Sequence, residues 1–517
     1  MNDNPLVLTF DIGTQSTRGL LVDKLGNIVD YAQIKYIEPY FSIKPDFIEQ
    51  KPLFYYNALI DVSNMLYNNN PDNYKRIIAV TITTIRDTVL CLDEHNEPLR
   101  DIIIWLDKRE ADASKLPKIP PLKQALFTLA GVKDTIDMQQ RQSACNYIMT
   151  EEKNIWEKTK KFVLLPTYIN YLLTGEIKDS IANQIGHIPF DYKNNKWMKK
   201  NGLTRCLFDV PLEKLCDLVK PGEIIGYIKD DVSRLSNIPK GLPLIATGSD
   251  KGCETLGLSV IDKTKASVSF GTTATVQFAT DKYFSPMPNV PAYPAVIYGY
   301  YNPEIQIYRG FWMLSWYIKE FAKEESEIAK AEGVITEVVL NRYLKDVPCG
   351  SDGLVLEPFW SPGVSNPNAR GAIIGFKDIH TKKHLYRAII EGIGYGLYEG
   401  LLTMEKRSRQ TIKEVFVGGG GSMSDEICQI MSDIFNLPLK RIQTHEACGL
   451  GSSIIAFKEM GIYNSYNDAI NNMVRVSKVF NPDAKKHEIY YNIYSNVYSK
   501  MEKRLYPLNK KLKEVKL

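Results

Sequence analysis

Short apolar runs alternate with amphipathic stretches along most of this chain. Runs rich in Ile and Val, bounded by turn residues, predict strands; they lie at residues 6–10, 19–22, 77–82, 89–92, 102–105 and 244–247. Apolar residues between Ile48 and Tyr67 recur at the spacing of one helix face, and a second helix-rich stretch runs from Glu151 to a helix stop at Thr174 and Gly175. This alternation of strands and helices predicts an α/β fold.

The end of the chain has a different pattern. From Asn481 onward, apolar and aromatic side chains recur at helical spacing; they are Tyr490, Tyr494, Val497, Met501 and Leu505. We therefore predict a C-terminal helix that packs its aromatic stripe on a neighbouring domain.

Two segments far apart in the chain resemble each other. The segment FDIGTQSTRGLLVD at residues 10–23 is echoed by SFGTTATVQFATD at residues 269–281. Placing Gly13 on Gly271 also places Thr14 on Thr272 and Thr17 on Thr275. Internal similarity of this kind indicates two related domains. We predict domains at residues 1–262 and 263–480, with a helical tail at 481–517 packed on the core.

Composition narrows the functional class. The 517 residues are 44% hydrophobic and 24% charged with a net charge of +4, which is typical of a globular protein of two or more domains. Lysines are spread along the chain, which argues against a nucleic-acid binder. The first residues lack a signal-peptide pattern and no run is long enough for a membrane helix, so we expect a cytoplasmic protein. The eight cysteines are isolated and the six histidines scattered, which indicates neither a disulfide framework nor a His-based metal site.

The first candidate site is the turn that follows the strand at residues 6–10. A strand delivers the carboxylate of Asp11, and the turn of Gly13, Thr14, Gln15 and Ser16 follows before the cation Arg18. Backbone N–H groups in such a turn can cradle a phosphate that the arginine neutralises. Asp11 would need a cation between it and that phosphate, and Mg²⁺ held through water is the natural one. The alternative is an ordinary hairpin with a polar tip.

A second Gly-Thr turn strengthens the phosphate interpretation. Gly271, Thr272 and Thr273 follow the strand that opens the second predicted domain. Two such hairpins would face each other across a cleft and hold a nucleotide's phosphate chain from both sides, which is the arrangement of actin-like ATPases.

Two further segments carry candidate chemistry. Asp250 leaves a strand beside two glycines, so it could take a proton from an attacking hydroxyl; alternatively, Ser249 or Asp250 only caps the next helix. Glycines at 418–421 with Ser422 lie between a strand and a helix that starts near Ser424 or Asp425. Consecutive glycines leave a flat backbone for a base or ribose, which favours nucleotide contact over a linker here.

These four segments resemble, in order and approximate spacing, the FGGY carbohydrate kinases, which include glycerol, xylulose, ribulose and gluconate kinases. Residues 387–397 (RAIIEGIGYGL) and 367–376 (PNARGAIIGF) are similar to two further segments of that family. The resemblance covers about residues 6–506. It implies two actin-like (ribonuclease H-like) domains with an ATP and substrate cleft between them, a small-molecule substrate, and a homodimer.

The resemblance also implies roles for individual residues. It gives Asp11 a part in placing Mg²⁺, and Asp250 the role of catalytic base. Contacts with the phosphates and the adenosine of ATP are implied for Thr14, Arg18, Gly271, Thr272, Gly419, Gly420 and Ser422.

The substrate side rests on two neighbouring segments. Residues 83–93 resemble the glycerol kinase segment that presents an Arg-Glu pair to substrate hydroxyls, and here the pair is Arg86 and Asp87. Residues 102–111 match the adjoining family segment and carry Trp105, which would give an apolar wall for the C–H face of a sugar. An Arg beside a carboxylate offers donors and acceptors to vicinal hydroxyls. The alternative is a structural ion pair at a strand end.

This chain departs from the family pattern at several positions, so the identity of the phosphoryl acceptor stays open. Xylulose kinases carry Gln-Met-His-Gly where this chain has residues 85–88, Thr167 replaces a signature lysine, and Lys251 replaces a glutamine that touches substrate in glycerol kinase. The C-terminal segment, in contrast, resembles the xylulose kinase group. We predict a ketopentose kinase; glycerol, another polyol or gluconate is the alternative, and Lys251 suggests an acidic group on the substrate.

A different class of function is an actin-like ATPase switch without a sugar substrate. A sugar pocket lined by Arg86, Asp87, Trp105 and Asp250 would argue against the switch. A homologue without activity is a third possibility, against which the retained Asp11 and Asp250 speak.

Overall fold

A computed structural model describes residues 4–288, 290–361, 363 and 368–515. The chain forms two compact units. The first contains Met1–Gly257, Tyr293–Tyr301 and Cys448–Val474, and the second contains Leu258–Ala292, Asn302–Ala447 and Arg475–Leu517. The chain thus returns twice to the first unit, and the predicted bounds at 262 and 480 do not include these returns. Pro367, with which one family-like segment begins, lies outside the described residues.

The described part of the first unit contains a six-stranded sheet. Its strands are β1 (Leu6–Ile12), β2 (Ser16–Asp23), β3 (Ile28–Lys35), β4 (Ile77–Thr84), β5 (Ile224–Tyr227) and β6 (Pro243–Ile245). They lie in the order β5-β6-β4-β1-β2-β3. Strands β1, β4 and β6 are parallel neighbours, and β2, β3 and β5 join antiparallel. Every residue of β1 is buried, in keeping with a central strand.

The described part of the second unit repeats this plan. Its strands are β7 (Lys265–Phe270), β8 (Ala274–Gln277), β9 (Glu304–Ile307), β10 (Glu414–Gly418), β11 (Leu439–Ile442) and β12 (Val476–Phe480). They lie in the order β9-β8-β7-β10-β11-β12, with β7, β10 and β11 parallel. The two sheets differ at one edge: β5 precedes its neighbour β6 in the chain, whereas β12 follows β11. The shared order of the other five strands supports the two related domains predicted from the echo.

The two hairpins differ in one detail that the sequence echo hid. Ile12 pairs with Thr17 across the four residues 13–16, whereas Phe270 pairs with Ala274 across the three residues 271–273. The alignment of Thr17 with Thr275 is therefore out of register by one residue. In register, Ser269 and Thr275 of the second hairpin stand where the first has Asp11 and Arg18. Of these two hairpins, only the first carries charge at that pair.

Helices pack around each sheet. Those of the first unit are Phe54–Asn69, Pro71–Tyr74, Pro121–Leu129, Lys133–Gln142, Ala144–Glu151, Lys153–Lys158, Leu165–Thr174, Asp230–Ser236, Asp250–Gly257, Ala447–Glu459 (from Cys448) and Tyr466–Met473. Those of the second are Trp312–Phe321, Lys323–Glu332, Thr336–Arg342, Lys382–Ser408, Asp425–Phe435, Ala484–Ile493 and Ser499–Glu514.

Shorter ladders complete the fold. The first unit has a second sheet of Glu49–Gln50, Ile102–Ile103, Val89–Leu92 and Lys161–Leu164. Two-stranded ladders join Phe190–Asp191 to Lys196–Trp197, Asp217–Val219 to Lys178–Ser180, Tyr293–Pro294 to Tyr301–Asn302, and Val355–Glu357 to Ala372–Ile374.

Two predicted helices differ from the structure. The helix expected from Ile48 begins only at Phe54, because Pro52 disfavours helix at the residue before it and Glu49–Gln50 pairs as a strand with Ile102–Ile103. The stretch from Glu151 is interrupted by the strand Lys161–Leu164. Its predicted stop is confirmed, since Leu165–Thr174 ends at Gly175 in a left-handed conformation with φ +85°.

The chain segment Cys448–Val474 packs closely on the first unit. The hydroxyl of Ser453 lies 2.9 Å from that of Thr9 in β1. A Cβ at Gly451 would come within 1.9 Å of the carbonyl oxygen of Cys253, and one at Gly449 within 2.9 Å of Leu20. The helix Ala447–Glu459 therefore lies directly on the sheet and on the helix that starts at Asp250.

The predicted C-terminal helix is confirmed, but its aromatic stripe packs within its own unit rather than on a neighbouring domain. The rings of Tyr490 and Tyr498 contact Tyr395 in the helix Lys382–Ser408, with centroids 6.2 and 5.3 Å away. A π-helical turn, Tyr494–Tyr498, joins Ala484–Ile493 to Ser499–Glu514.

A buried ion pair anchors this packing. The Nε of Arg387 donates to Glu391 over 2.7 Å, and the hydroxyl of Tyr490 donates to Glu391 (2.9 Å) and accepts from Arg387 (2.7 Å). Glu391 also accepts from the backbone N–H of Gly350 and the hydroxyl of Ser351. Because both charges are multiply hydrogen-bonded, the pair is tolerated in the core.

Among the described residues, no helix combines the length and apolarity needed to cross a membrane. A cytoplasmic location and a homodimer stay predictions.

Candidate active site

Three parallel strands of the first unit end at the same edge of its sheet. Strand β1 ends beside Asp11, β4 leads to Arg86 and Asp87, and β6 leads to the helix that begins at Asp250. In open α/β sheets the carboxyl ends of parallel strands are where ligands bind. The sequence-predicted residues Asp11, Arg86, Asp87 and Asp250 are therefore brought to one edge.

Asp11 is held by several partners. It is 7% exposed, its carboxylate lies 3.1 Å from the guanidinium of Arg18, and it accepts a hydrogen bond of 3.0 Å from Thr83. The thiol of Cys448 lies 3.7 Å away. Burial first, and then the charge of Asp11, raise the pKa of Cys448 well above its ordinary value, so this thiol stays protonated and uncharged beside the carboxylate.

The turn after Asp11 uses some of its polar groups internally. The N–H of Gly13 donates to the carbonyl of Ser16 over 2.9 Å, so that amide is not available to a phosphate. Within the described residues, the N–H groups of Thr14 and Gln15 make no hydrogen bond with protein. The hydroxyl of Ser16 accepts from Gln33 over 3.1 Å. The amides of Thr14 and Gln15 therefore remain available to an anion in the turn that precedes Arg18.

Trp105 contacts the turn that follows Asp11. Its indole N–H donates to the hydroxyl of Thr14 over 2.9 Å, and the side chain stays partly exposed. Its sequence neighbours serve a different purpose, because Arg109 is buried in ion pairs with Asp107 (2.7 Å) and Glu49 (2.6 Å). In the segment 102–111, Arg109 is the residue that forms structural ion pairs, whereas Trp105 contacts the turn at the sheet edge that carries Asp11.

Arg86 and Asp250 face each other. The Nε of Arg86 lies 3.5 Å from a carboxylate oxygen of Asp250, and its guanidinium lies 5.2 Å from the centre of the Tyr293 ring. Asp250 opens the helix Asp250–Gly257, while the hydroxyl of Ser249 accepts from the N–H of Gly252 over 3.3 Å. Ser249 therefore serves as the cap, and the carboxylate of Asp250, 35% exposed, remains on the side of Arg86.

Asp87, predicted to present its carboxylate to the substrate beside Arg86, is hydrogen-bonded to His187. It accepts two hydrogen bonds from His187, one from the backbone N–H (2.8 Å) and one from Nδ1 (2.6 Å). Burial alone would raise the pKa of Asp87, but the charge and hydrogen bonds of His187 outweigh it and hold that pKa below its ordinary value. The same carboxylate raises the pKa of His187 against the opposing effect of burial. Sequence reasoning missed His187, because no local pattern marks it.

Lys251 also has a carboxylate of its own. Its Nζ lies 2.9 Å from Glu254, one turn further along the same helix, and both side chains are mostly buried. Three basic side chains of this region, Arg86, His187 and Lys251, are thus each paired with an acid. Glu254, His187 and Tyr293 complete a cluster of which the sequence indicated only a part.

The second unit brings its two predicted segments together. The carbonyl of Gly271 accepts from the N–H of Phe311 over 3.1 Å, and the hydroxyl of Thr273 donates to the carbonyl of Tyr308, also over 3.1 Å. Gly419 has φ +79°, and a Cβ there would come within 2.9 Å of the backbone of Phe270. The Gly271 turn and the glycine run are therefore neighbours at one edge of the sheet.

The glycine run leads into a helix as predicted. The hydroxyl of Ser422 donates to the carbonyl of Gly419 over 2.7 Å, and Ser424 caps the helix Asp425–Phe435. At Gly420 a Cβ would meet no atom of the described residues within 4 Å. The glycine surface is thus open at Gly420.

A bound Mg²⁺ would have to take most of its ligands from outside the protein. No group of three acidic, histidine or cysteine side chains among the described residues is arranged to hold a metal. Mg²⁺ in phosphate-transfer sites usually keeps several waters and takes one or two carboxylates plus phosphate oxygens. The single carboxylate of Asp11 fits that donor set.

Comparison with known proteins agrees with this architecture. The model of the N-terminal domain of the FGGY family of carbohydrate kinases matches residues 6–257, and that of the C-terminal domain matches residues 266–460. The sugar kinase YgcE of Escherichia coli K12, described as uncharacterized, is 27% identical (93% of this chain, 91% of the relative). A xylulose kinase of Lactococcus lactis is 25% identical (94% and 95%).

A solved structure extends the agreement to the fold. The gluconate kinase of Lactobacillus acidophilus superposes with a TM-score of 0.82 at 20% identity, covering 99% of this chain and 100% of that one. The two domain matches together span most of the chain. This protein belongs to the FGGY family of carbohydrate kinases and is a sugar kinase.

Proposed function

We propose that this kinase transfers the terminal phosphoryl group of ATP to a hydroxyl of a neutral ketopentose, with Asp250 as the general base. ATP as the donor follows from the kinase family. The observation that carries the proposal is the 3.5 Å approach of Arg86 to Asp250 at the carboxyl ends of the strands. A xylulose kinase among the relatives supports a ketopentose as the acceptor.

In this mechanism Asp250 accepts the proton of the attacking hydroxyl. The bond from the sugar oxygen to phosphorus forms as the bond from phosphorus to ADP breaks, and the proton passes to the carboxylate. Arg86 orients that carboxylate and donates to neighbouring hydroxyls, while Tyr293 supports the guanidinium from its face. Trp105 gives an apolar surface to the C–H face of the sugar.

The remaining predicted residues bind the donor in this proposal. The free amides of Thr14 and Gln15, together with Arg18, contact phosphate oxygens. In the second unit, the phosphate turn consists of Gly271, Thr272 and Thr273, and the adenosine surface of Gly419, Gly420 and Ser422. Asp11 would hold Mg²⁺ through water, and the ion would neutralise charge on the phosphates.

Charge balance supports an uncharged acceptor. Arg86, His187 and Lys251 are each matched by an acid: Asp250, Asp87 and Glu254 respectively. A carboxylate on the substrate would need a cation whose charge is not already compensated. The ion pair between Lys251 and Glu254 therefore argues against the aldonate that Lys251 suggested from sequence, and glycerol or another neutral polyol is the closer alternative.

The test is a coupled assay of ADP release with pentuloses, polyols and aldonates, for the wild type and for Asp250→Asn. We expect turnover with a pentulose and a loss of about 10²- to 10⁴-fold in kcat for the variant. Turnover with no member of the panel would overturn the sugar-kinase proposal. Equal hydrolysis without sugar by both proteins would point instead to an actin-like ATPase switch.

A further inference from the structure

A closed series of contacts surrounds Arg86 within the first unit. The Tyr293 ring lies against its guanidinium, and the Tyr192 ring lies edge-on to Tyr293 with centroids 5.6 Å apart. The hydroxyl of Tyr192 lies 3.3 Å from the N–H of Gly186, which immediately precedes His187. His187 bonds to Asp87, the residue after Arg86. These contacts place His187 in the same locality as the Arg86–Asp250 pair.

The imidazole of His187 is held in a defined orientation. Asp87 accepts from both the backbone N–H and Nδ1, and the ring of Phe208 lies edge-on to the imidazole with centroids 5.6 Å apart. A Nδ1 that donates to a carboxylate leaves Nε2 as the free nitrogen of the ring. Nothing in the described residues bonds to Nε2, and the side chain is 33% exposed.

We infer that His187 is a specificity-determining residue of the sugar site, where its Nε2 binds a substrate hydroxyl and Asp87 acts as a positioning residue behind it. The inference rests on the proposed function, because it assumes that the sugar binds beside Arg86 and Asp250. A neutral imidazole accepts through Nε2 and an imidazolium donates, and a hydroxyl serves as partner to either form.

The backbone on both sides is shaped to make this pairing possible. A Cβ at Gly186 would come within 2.4 Å of a carboxylate oxygen of Asp87, and Gly186 has φ +153°, which other residues rarely adopt. Asp87 itself has φ +47°. Strained backbone of this kind persists where the surrounding structure enforces it, commonly at functional sites. A surface tether between two loops would not require both a glycine at position 186 and a positive φ at Asp87.

The experiment separates a contact through Nε2 from a purely structural tether. In His187→Asn the amide nitrogen takes the place of Nδ1 and can still donate to Asp87, but nothing remains at the Nε2 position. In His187→Gln the amide reaches the Nε2 position instead. The exposed His95→Asn is the matched control, since its side chain is 78% exposed. KM for sugar, KM for ATP and Tm are measured for each protein, with protein fluorescence as a separate readout of sugar binding.

We expect His187→Asn to raise KM for the sugar about tenfold, with KM for ATP close to wild type, because one hydrogen bond to substrate is lost. Tm should fall modestly near pH 5.5, where the charged pair with Asp87 is lost, and approach that of the wild type near pH 9. His187→Gln should recover part of the loss, and Asp87→Asn should also raise KM for the sugar. A sugar KM unchanged in His187→Asn overturns the inference and leaves the proposed function standing.

If the wild type phosphorylates no sugar of the panel, the proposed function fails. The inference about His187 is then tested by the fluorescence measurement of sugar binding. Sugar binding that weakens about tenfold in His187→Asn would still support it. Absence of sugar binding to the wild type would overturn it as well.

Discussion

The guanidinium of Arg86 lies 3.5 Å from the carboxylate of Asp250, which joins the end of β4 to the first turn of the helix after β6. Neither group could be assigned to the other from sequence, because the two belong to separate segments. Through this contact Arg86 orients the proposed base, Asp250, and in the proposed site it also donates hydrogen bonds to the sugar.

Replacing Arg86 by Met should lower kcat/KM for the sugar by about 10²-fold or more, because the base loses its orienting partner and the sugar a donor. Since groups that act as a unit are not additive, the double variant with Asp250→Asn should be no worse than Asp250→Asn alone, within about threefold. The measurement is the coupled assay of ADP release. A double variant that loses the full product of the two single effects would show that the residues act independently.

The glycine surface of the second unit gives a test of nucleotide binding. Gly420→Val adds a side chain where no described atom lies within 4 Å, so Tm should stay close to wild type. If adenosine lies on this surface, KM for ATP should rise about tenfold or more while KM for the sugar stays constant.

The matched change is Gly419→Ala, which forces a side chain onto φ +79° and against the backbone of Phe270. That variant should lower Tm whether or not nucleotide is present. Normal ATP affinity in Gly420→Val would remove this surface from the proposed site.

The predictions from sequence are most accurate for buried elements and for features set by residues close together in the sequence. Strand β1 is buried throughout and is predicted to within two residues of its end, and a single glycine predicts the stop at Gly175. The family-like order predicts Asp11 and Asp250 in one site, and both residues lie at the same edge of the first unit's sheet. In these places the residue pattern itself determines the local structure.

The errors have a common physical origin in long-range pairing. The sequence predicts Asp87 beside Arg86 at the substrate but does not indicate its hydrogen-bond partner His187, which lies in a distant loop that no periodicity marks. The helix expected from Ile48 was displaced by a strand partner at Ile102–Ile103. Such contacts depend on tertiary packing, which overrides local preference.

The buried ion pair of Arg387 and Glu391 should dominate the stability of the second unit's C-terminal packing. Glu391→Ala leaves the arginine buried without its acid and should cost about 3–5 kcal/mol in the free energy of unfolding. Tyr490→Phe removes one hydroxyl and should cost about 1–2 kcal/mol. Denaturant unfolding monitored by circular dichroism measures both. A cost for Glu391→Ala no greater than that for Tyr490→Phe would contradict this account.

The Asp87–His187 pair should make stability depend on pH. Folding lowers the pKa of Asp87 from 3.8 and raises that of His187 from 6.5. The stabilisation is therefore complete between these values. It is lost as pH rises through the raised pKa of His187 and as pH falls through the lowered pKa of Asp87.

Asp87→Asn should accordingly destabilise the protein by about 1–2 kcal/mol near pH 5.5, and by less near pH 9. Unfolding of the wild type and the variant at both pH values measures the difference. A cost that is the same at pH 5.5 and pH 9 would mean that the pair does not carry charge in the folded state.

The return of Cys448–Val474 to the first unit constrains the order in which the protein can assemble during synthesis. Ser453 meets Thr9 of β1, and Gly449 meets Leu20 of β2, so the ribosome releases those strands long before it makes the helix that covers them. Throughout that interval the part of the sheet around Thr9 and Leu20 lacks the helix that covers it. The amino-terminal half should therefore reach its final packing only after Val474 has emerged, and a fragment ending at Gly257 should be prone to aggregate.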